Sequence, residues 1–487
     1  MTSDNERVDE EVLEKVIQRA RERNIIIPTY EQMRNPQKIP KSIKEELRSI
    51  GLWDLHPRNL FRITWKNDPK DGGFDGVNYL EMPQEITGVD ARIIVLLGKF
   101  FPTGSHKVGA TFGPLVEKLV RGTFDPTRQK ALWPSTGNYC RGGAYDSYLL
   151  SCPSIAVLPE GMSRERFEWL EKVGAEIYPT PGVESNVKEV FDKTRELKDR
   201  RPDEVVVLNQ FEEFGNSIWH YAVTGPALEE VYRKERRKNQ RFAALFLTQG
   251  SAGTLGSGNY LRRKIPTIKI GAGESLQCPT LLYNGFGGHR IEGIGDKHVP
   301  WIFDVRNIDM VLGIDDEACM RIVRLFNEPE GMKLLEGRGV SSEFTAKLDL
   351  LGISSIANVL GAIKMAKYYE MDEDDIILTI ATDSMELYQS RLQEMKREYG
   401  GYTETDAAGD YGRYLRGVTG DWILEPSYWD KKRMHNLKYF TWVEQQGKTP
   451  EELDEQWYNR DYWSEKFSSY KEWDGRIVQF NERVGLI

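Results

Sequence analysis

Cysteine is scarce in this chain: Cys140, Cys152, Cys278 and Cys319 are the only four in 487 residues, and none forms a Cys-x-x-Cys pair. That usage excludes a disulfide framework and a thiolate zinc site, and it suits a reducing compartment. The six histidines show no His-Glu-x-x-His spacing, so no metal centre is expected. No apolar run approaches the roughly 20 residues that span a bilayer. The acidic, polar amino terminus lacks the apolar stretch of a secretory leader, so the reading is a cytoplasmic protein without a membrane partner. Positive charge is not in excess either. With 66 Lys and Arg against 75 Asp and Glu the net charge is -9, which argues against nucleic acid as a partner. The basic run from Arg233 to Arg241 reads as a solvated helix end.

What is present is an ordinary globular composition, 39% hydrophobic and 29% charged, at a length that suits two or three domains with a large core. Residues 1–85 read as a mainly helical, charged extension, with Val12, Val16 and Ile17 at helical spacing and a break near Pro28. From Ala91 short apolar runs appear that predict buried strands: Arg92 to Leu97, Ile155 to Leu158, Val205 to Leu208, Ala243 to Leu247 and Ile376 to Ile380. Amphipathic stretches such as Arg164 to Val173 and Ile356 to Tyr369 lie between them. Strands alternating with helices predict an α/β fold with a parallel sheet covered on both faces. Residues 401–487 hold half of the twelve tryptophans and read as an aromatic extension that packs over the core or forms a subunit contact.

Lys107 closes the run Pro102-Thr103-Gly104-Ser105-His106-Lys107, a turn that would set its amine at a helix start, facing a cavity. A lysine amine so placed can hold an aldehyde cofactor as a Schiff base. Downstream, Gly250-Ser251-Ala252-Gly253-Thr254-Leu255-Gly256 follows one predicted strand and precedes a predicted helix at Asn259 to Lys264. Its glycines let backbone amides close on a phosphate, and Ser251 and Thr254 add hydroxyls. Glycine at every third position does not fit the Gly-x-Gly-x-x-Gly nucleotide loop. Ser135-Thr136-Gly137-Asn138-Tyr139, taken alone, is an ordinary turn.

Taken in order, these segments, with Asn209-Gln210-Phe211, Ile291-Glu292-Gly293-Ile294-Gly295, Gly352-Ile353-Ser354-Ser355 and Asp383-Ser384-Met385-Glu386-Leu387-Tyr388, resemble the fold-type II pyridoxal phosphate enzymes of the cysteine synthase and cystathionine β-synthase family. The likeness runs from about residue 86 to 400. It implies a tryptophan synthase β-like fold: two three-layer α/β domains with the cofactor between them, the smaller and mobile one at about 110–225, plus the extensions at 1–85 and 401–487. It implies pyridoxal 5'-phosphate on Lys107 and a phosphate held by Gly250, Ser251, Ala252, Gly253 and Thr254. Asn138 would meet the ring hydroxyl and Ser384 the pyridine nitrogen. Ser135, Thr136, Tyr139 and Gln210 would surround the substrate carboxylate. A homodimer is also implied.

Three departures qualify the likeness. Tyr139 stands where the family has a small threonine, which puts amino-acid selectivity in question. Val108-Gly109 replaces the Asp-Arg that follows the lysine in cysteine synthases, and His106 resembles tryptophan synthase β chains, whose histidine lies near the cofactor phosphate. Their catalytic glutamate is missing from the 136–139 loop, so indole chemistry is not expected. The resemblance implies β-replacement or β-elimination on an L-amino acid with a leaving group at Cβ, with a thiol or sulfide as nucleophile. A neutral Ser384 hydroxyl would favour expulsion of that group. The alternatives are a lyase or dehydratase, such as a cysteine desulfhydrase or serine dehydratase, and a non-catalytic scaffold that keeps the fold.

Overall fold

The computed structural model describes residues 8–135, 137–183 and 186–486. Eleven strands run in chain order as β1 Tyr79–Met82, β2 Arg92–Leu97, β3 Lys130–Pro134, β4 Ser154–Pro159, β5 Glu176–Thr180, β6 Val205–Val207, β7 Arg241–Thr248, β8 Lys269–Ser275, β9 Met310–Ile314, β10 Asp375–Ala381 and β11 Ile423–Leu424. All five apolar runs read as strands are strands, because a β-branched, uncharged run of this length buries both faces once helices cover the sheet.

They form two sheets. Seven strands pair in the order β1-β2-β10-β7-β8-β9-β11, and four in the order β5-β4-β3-β6. The four-stranded sheet is parallel throughout. The larger one is parallel except at its edges, where β1 runs antiparallel to β2 and β11 antiparallel to β9. β8, Lys-Ile-Gly-Ala-Gly-Glu-Ser, was not legible as a strand. Its Gly271 and Gly273 leave room for the ring of Phe246 on β7, where a Cβ would collide. The helix Ile353–Tyr368 is buried along most of its length against the larger sheet. No single helix among the described residues is long and apolar enough to cross a membrane.

The extensions pack on this frame. The helix Tyr470–Val484 lies against the helices Glu10–Glu22 and Lys107–Arg121. Asn481 exchanges hydrogen bonds with the backbone of Ile27 at 3.0 and 2.7 Å. Asp474 accepts from the N–H groups of Tyr30 and Glu31 at 2.6 and 3.2 Å, an anion at the start of the helix Tyr30–Arg34. Trp442 is fully buried and donates its indole N–H to Val299 O at 2.8 Å. Lys438, also fully buried, places its three donors on Trp301 O, Phe303 O and Gln456 Oε1 at 3.0, 2.8 and 2.7 Å.

Candidate active site

Lys107 is the first residue of the helix Lys107–Arg121, at the carboxyl end of the larger sheet's β2. The turn before it needs Gly104, at φ 73°. The helix approaches Phe214–Trp219 closely, because Gly109 faces the Trp219 ring and Gly113 the Gly215 backbone. Lys107 Nζ donates to Ser251 Oγ at 3.2 Å. Asn216 Nδ2 donates to the same oxygen at 3.0 Å and to Gln210 O at 2.9 Å. One asparagine, which the sequence reading did not single out, therefore ties together three residues that it did.

After β7 the chain turns through Ala252, whose φ is 61°, before the helix Gly256–Lys264. Among the described residues, the N–H groups of Gly250, Ser251, Ala252 and Gly253 have no hydrogen-bond acceptor. They border a cavity with His106, Lys107, Thr254, Asn358 and Thr382. The His106 ring is buried and neither nitrogen has a hydrogen-bond partner among the described residues. Burial first, then the neighbouring Lys107, lowers its pKa to about 3, so it is a neutral imidazole. Ser251, Ala252 and Gly253 are buried and Gly250 half-buried, and amides so placed without acceptors are costly unless an anion completes them. Together with a nearby amine they fit a phosphorylated aldehyde.

An adjoining cavity shares Lys107, Gly250, Ser251, Gly293 and Thr382 and adds Ser135, Gly137, Asn138, Tyr139, Gln210 and Asp296. Gln210 Nε2 and Gly137 N–H both donate to Ser135 Oγ, at 3.3 and 3.1 Å. Thr136 lies outside the described residues. Tyr139 is buried, its hydroxyl has no partner among the described residues, and its ring lies edge-on to Trp133 at 5.5 Å in the wall of this cavity. Asn138 begins the helix Asn138–Leu149, and its amide donates to Asp383 Oδ2 at 2.5 Å. Tyr388 donates to the same oxygen at 2.7 Å and accepts from Arg166 at 3.1 Å. Burial raises the Asp383 pKa, opposed by the Tyr388 hydrogen bond and by Arg166. Ser384 is buried just beyond, at the start of a short turn, but Thr382 is the residue of this segment that lines both cavities. Asp296 was missed although the adjacent Gly293 and Gly295 were singled out. It is buried, and burial lifts its carboxyl to about 7 against the pull of Lys107.

Residues 78–337, more than half of the chain, match the family described as "Pyridoxal-phosphate dependent enzyme". A probable cysteine synthase of Bacillus subtilis is 27% identical over 301 residues, covering 62% of this chain and 89% of its own. Among solved structures, an O-acetylserine dependent cystathionine beta-synthase from Helicobacter pylori matches with a TM-score of 0.53 at 25% identity, over 64% of this chain and 94% of that one. A hydrogen sulfide-producing enzyme from Fusobacterium nucleatum matches with a TM-score of 0.54 at 25% identity, over 68% and 92%. The unsatisfied amides at 250–253, the orphaned His106 ring and the Lys107 amine fit pyridoxal phosphate in chemistry as well. The chain belongs to the pyridoxal-phosphate dependent enzyme family, in the fold-type II group that includes the cysteine synthases, and pyridoxal 5'-phosphate is its cofactor.

Proposed function

We propose that this enzyme carries out β-replacement, or β-elimination, on an L-amino acid bearing a leaving group at Cβ, with a thiol or sulfide as the incoming nucleophile. The observation that carries this reading is the wall shared by the two cavities. Lys107 and Ser251 stand between a set of unsatisfied amides on one side and the Ser135–Gln210 pair on the other.

When bound, pyridoxal phosphate supplies an aldehyde that engages an amino group and a ring that draws electron density from Cα. Lys107 would hold it, and the amides of 250–253 with Thr254 would hold its phosphate. Asn138 would face the ring hydroxyl, and Thr382 or Ser384 the ring nitrogen. Ser135, Gln210 and Thr136 would bind the substrate carboxylate, with Tyr139 narrowing the space beside it. The Lys107 amine, once free, removes the Cα proton. Closure of the segment 110–225 over the site would exclude water, and the time it stays closed decides replacement against elimination. The scarcity of cysteine, four buried residues in 487, supports a reducing compartment, hence the cytoplasm, and the exposed aromatic surface at Tyr428 and Trp429 supports a homodimer.

Borohydride reduction of the holoenzyme followed by peptide mapping should place the cofactor on Lys107, and Lys107→Ala should lose nearly all turnover while staying folded. A label on another lysine would end the assignment. Offering L-serine, L-cysteine and O-acetyl-L-serine with and without sulfide then separates new thioether or thiol products from pyruvate and ammonia. A holoenzyme that releases no Cβ group from any of them fails this reading and favours a scaffold.

A further inference from the structure

Among the described residues, Asp296 is the one carboxyl group in the lining of the cavity that holds Lys107, Ser135, Asn138 and Gln210. Its residue is 2% exposed, and no hydrogen-bond partner of its side chain is found among the described residues. Its backbone, in contrast, is fixed on both sides. Thr280 Oγ1 donates to Asp296 O at 2.8 Å, and the His289 ring lies 2.8 Å from Gly295 O. Gly295 N–H donates to Gln249 O at 3.0 Å, just before the Gly250 turn. Downstream, Val299 O takes the Trp442 indole N–H. A buried acid that makes no side-chain hydrogen bond among the described residues, set beside Lys107 on a segment held this firmly, is costly to keep unless it acts on something in the cavity.

We infer that Asp296 is a catalytic acid–base group that protonates the departing Cβ substituent and deprotonates the incoming nucleophile, and that the substrates are therefore β-hydroxy or β-thiol amino acids rather than activated esters. The inference rests on the β-replacement reading above. Hydroxide is a poor leaving group that needs a proton as it departs and a thiol group departs more readily with one, whereas acetate leaves without one.

The Lys107 amine takes the Cα proton, and the Cα–H electron pair becomes the second Cα–Cβ bond. The Cβ–O or Cβ–S pair leaves with the heteroatom, which receives the Asp296 proton and departs as water or hydrogen sulfide. Asp296, now a carboxylate, takes the proton of the incoming thiol as its sulfur bonds to Cβ. The Cα proton returns from Lys107, so both groups end as they began.

The groups facing Asp296 agree with this role. Among the described residues, Lys107 is the only other charged one in that lining, with the buried Tyr139 hydroxyl on the same wall, neutral His106 on the adjoining wall and His289 behind the segment. Burial keeps the Asp296 carboxyl protonated up to about 7, where an acid can still give up its proton readily.

The test is Asp296→Asn in the holoenzyme, which keeps shape and removes the proton. Release of the Cβ group is followed from L-serine and L-cysteine, and from O-acetyl-L-serine and β-chloro-L-alanine, whose groups leave unprotonated. The expected result is a loss of about 100-fold or more with the first pair, the usual scale of general acid catalysis, and a change of about threefold or less with the second. The infrared difference between wild type and variant should also show a protonated carboxyl at about pH 6 that is gone by about pH 9. Equal losses with both pairs, or a carboxylate already at about pH 6, overturn the inference. Wild-type reaction with β-chloro-L-alanine reports on the reaction class separately, so a failure there is recognisable as a failure of the proposed function.

Discussion

At Gly253 two demands coincide. Its N–H belongs to the unsatisfied set at 250–253, and a Cβ there would overlap the Asn216 side chain that holds Ser251 and Gln210. Gly253→Ala should therefore weaken pyridoxal phosphate binding by about 10-fold or more through the displaced Asn216, and Gly253→Asp by more, since a carboxylate would also oppose the phosphate. Cofactor titration of the apo-protein measures both, and unchanged affinity would mean that the phosphate is held elsewhere. Lys107 and Ser251 stood out in short runs with their own chemical pattern, whereas Asn138 and Gln210 came only with the family resemblance, since their runs taken alone are ordinary turns. Asn216, Thr382 and Asp296 carry no such local signature. They matter only because the fold brings 216 against 251, and 296 and 382 against 107, which spacing along the chain cannot express. The same limit applies to Ser384. Its neighbour Asp383 is engaged by Asn138 and Tyr388, and Thr382 reaches the cavity, so the hydroxyl facing the ring nitrogen is an open comparison between two positions. Thr382→Val and Ser384→Ala at equal cofactor occupancy decide it. The one that shifts the cofactor's absorption spectrum identifies the partner.

At the scale of elements, the helix Arg164–Lys172 of the four-stranded sheet is tied to the larger sheet's side by a polar network. Arg166 pairs with Glu292 and donates to Tyr388. Arg391 pairs with the other Glu292 oxygen at 2.6 Å and reaches Gly161 O. Glu165 accepts from the backbone and hydroxyl of Ser390 at 2.9 and 2.7 Å. A Cβ on Gly137 would overlap Arg166, so the loop preceding Asn138 rests on this network. Glu292→Gln removes the countercharge of a nearly fully buried guanidinium, a change that costs about 3–5 kcal/mol when one partner of a buried pair is lost. Hydrogen exchange of β3 to β6 should accelerate in this variant. Unchanged exchange there would show that the tie does not hold the two sheets together. The strands that the sequence revealed, β2, β4, β6, β7 and β10, are apolar runs. β8 was hidden by packing glycines and β5 by Pro179, because edge position and close ring packing override strand propensity.

At the scale of the molecule, the tryptophans of 401–487 signalled burial but not what they would be buried against. Part of the answer is the segment that leads away from Asp296. The imidazole of His298 sits among Phe211, Phe191 and the extension's Trp442, at ring distances of 4.6, 5.6 and 5.8 Å. Its Nε2 has no partner among the described residues, and burial lowers its pKa to about 3. A histidine depressed in the folded state leaves stability unaffected above the unfolded value near 6.5. Below it the unfolded chain takes up a proton that the folded chain refuses, so stability is lost as pH falls from about 6.5 towards 3. His298→Gln removes that titration. Between about pH 7.5 and pH 5 the wild type should lose about 2 kcal/mol relative to the variant, about 1.5 pH units at 1.36 kcal/mol each. Urea unfolding of both proteins at the two pH values, followed by tryptophan fluorescence, measures this, since Trp442 adjoins the ring. A stability difference that does not change with pH would mean that His298 takes its proton in the folded protein. In that case the extension does not seal the segment from water, and the firmness with which Asp296 is held would have to come from Thr280, His289 and the Gly295–Gln249 bond.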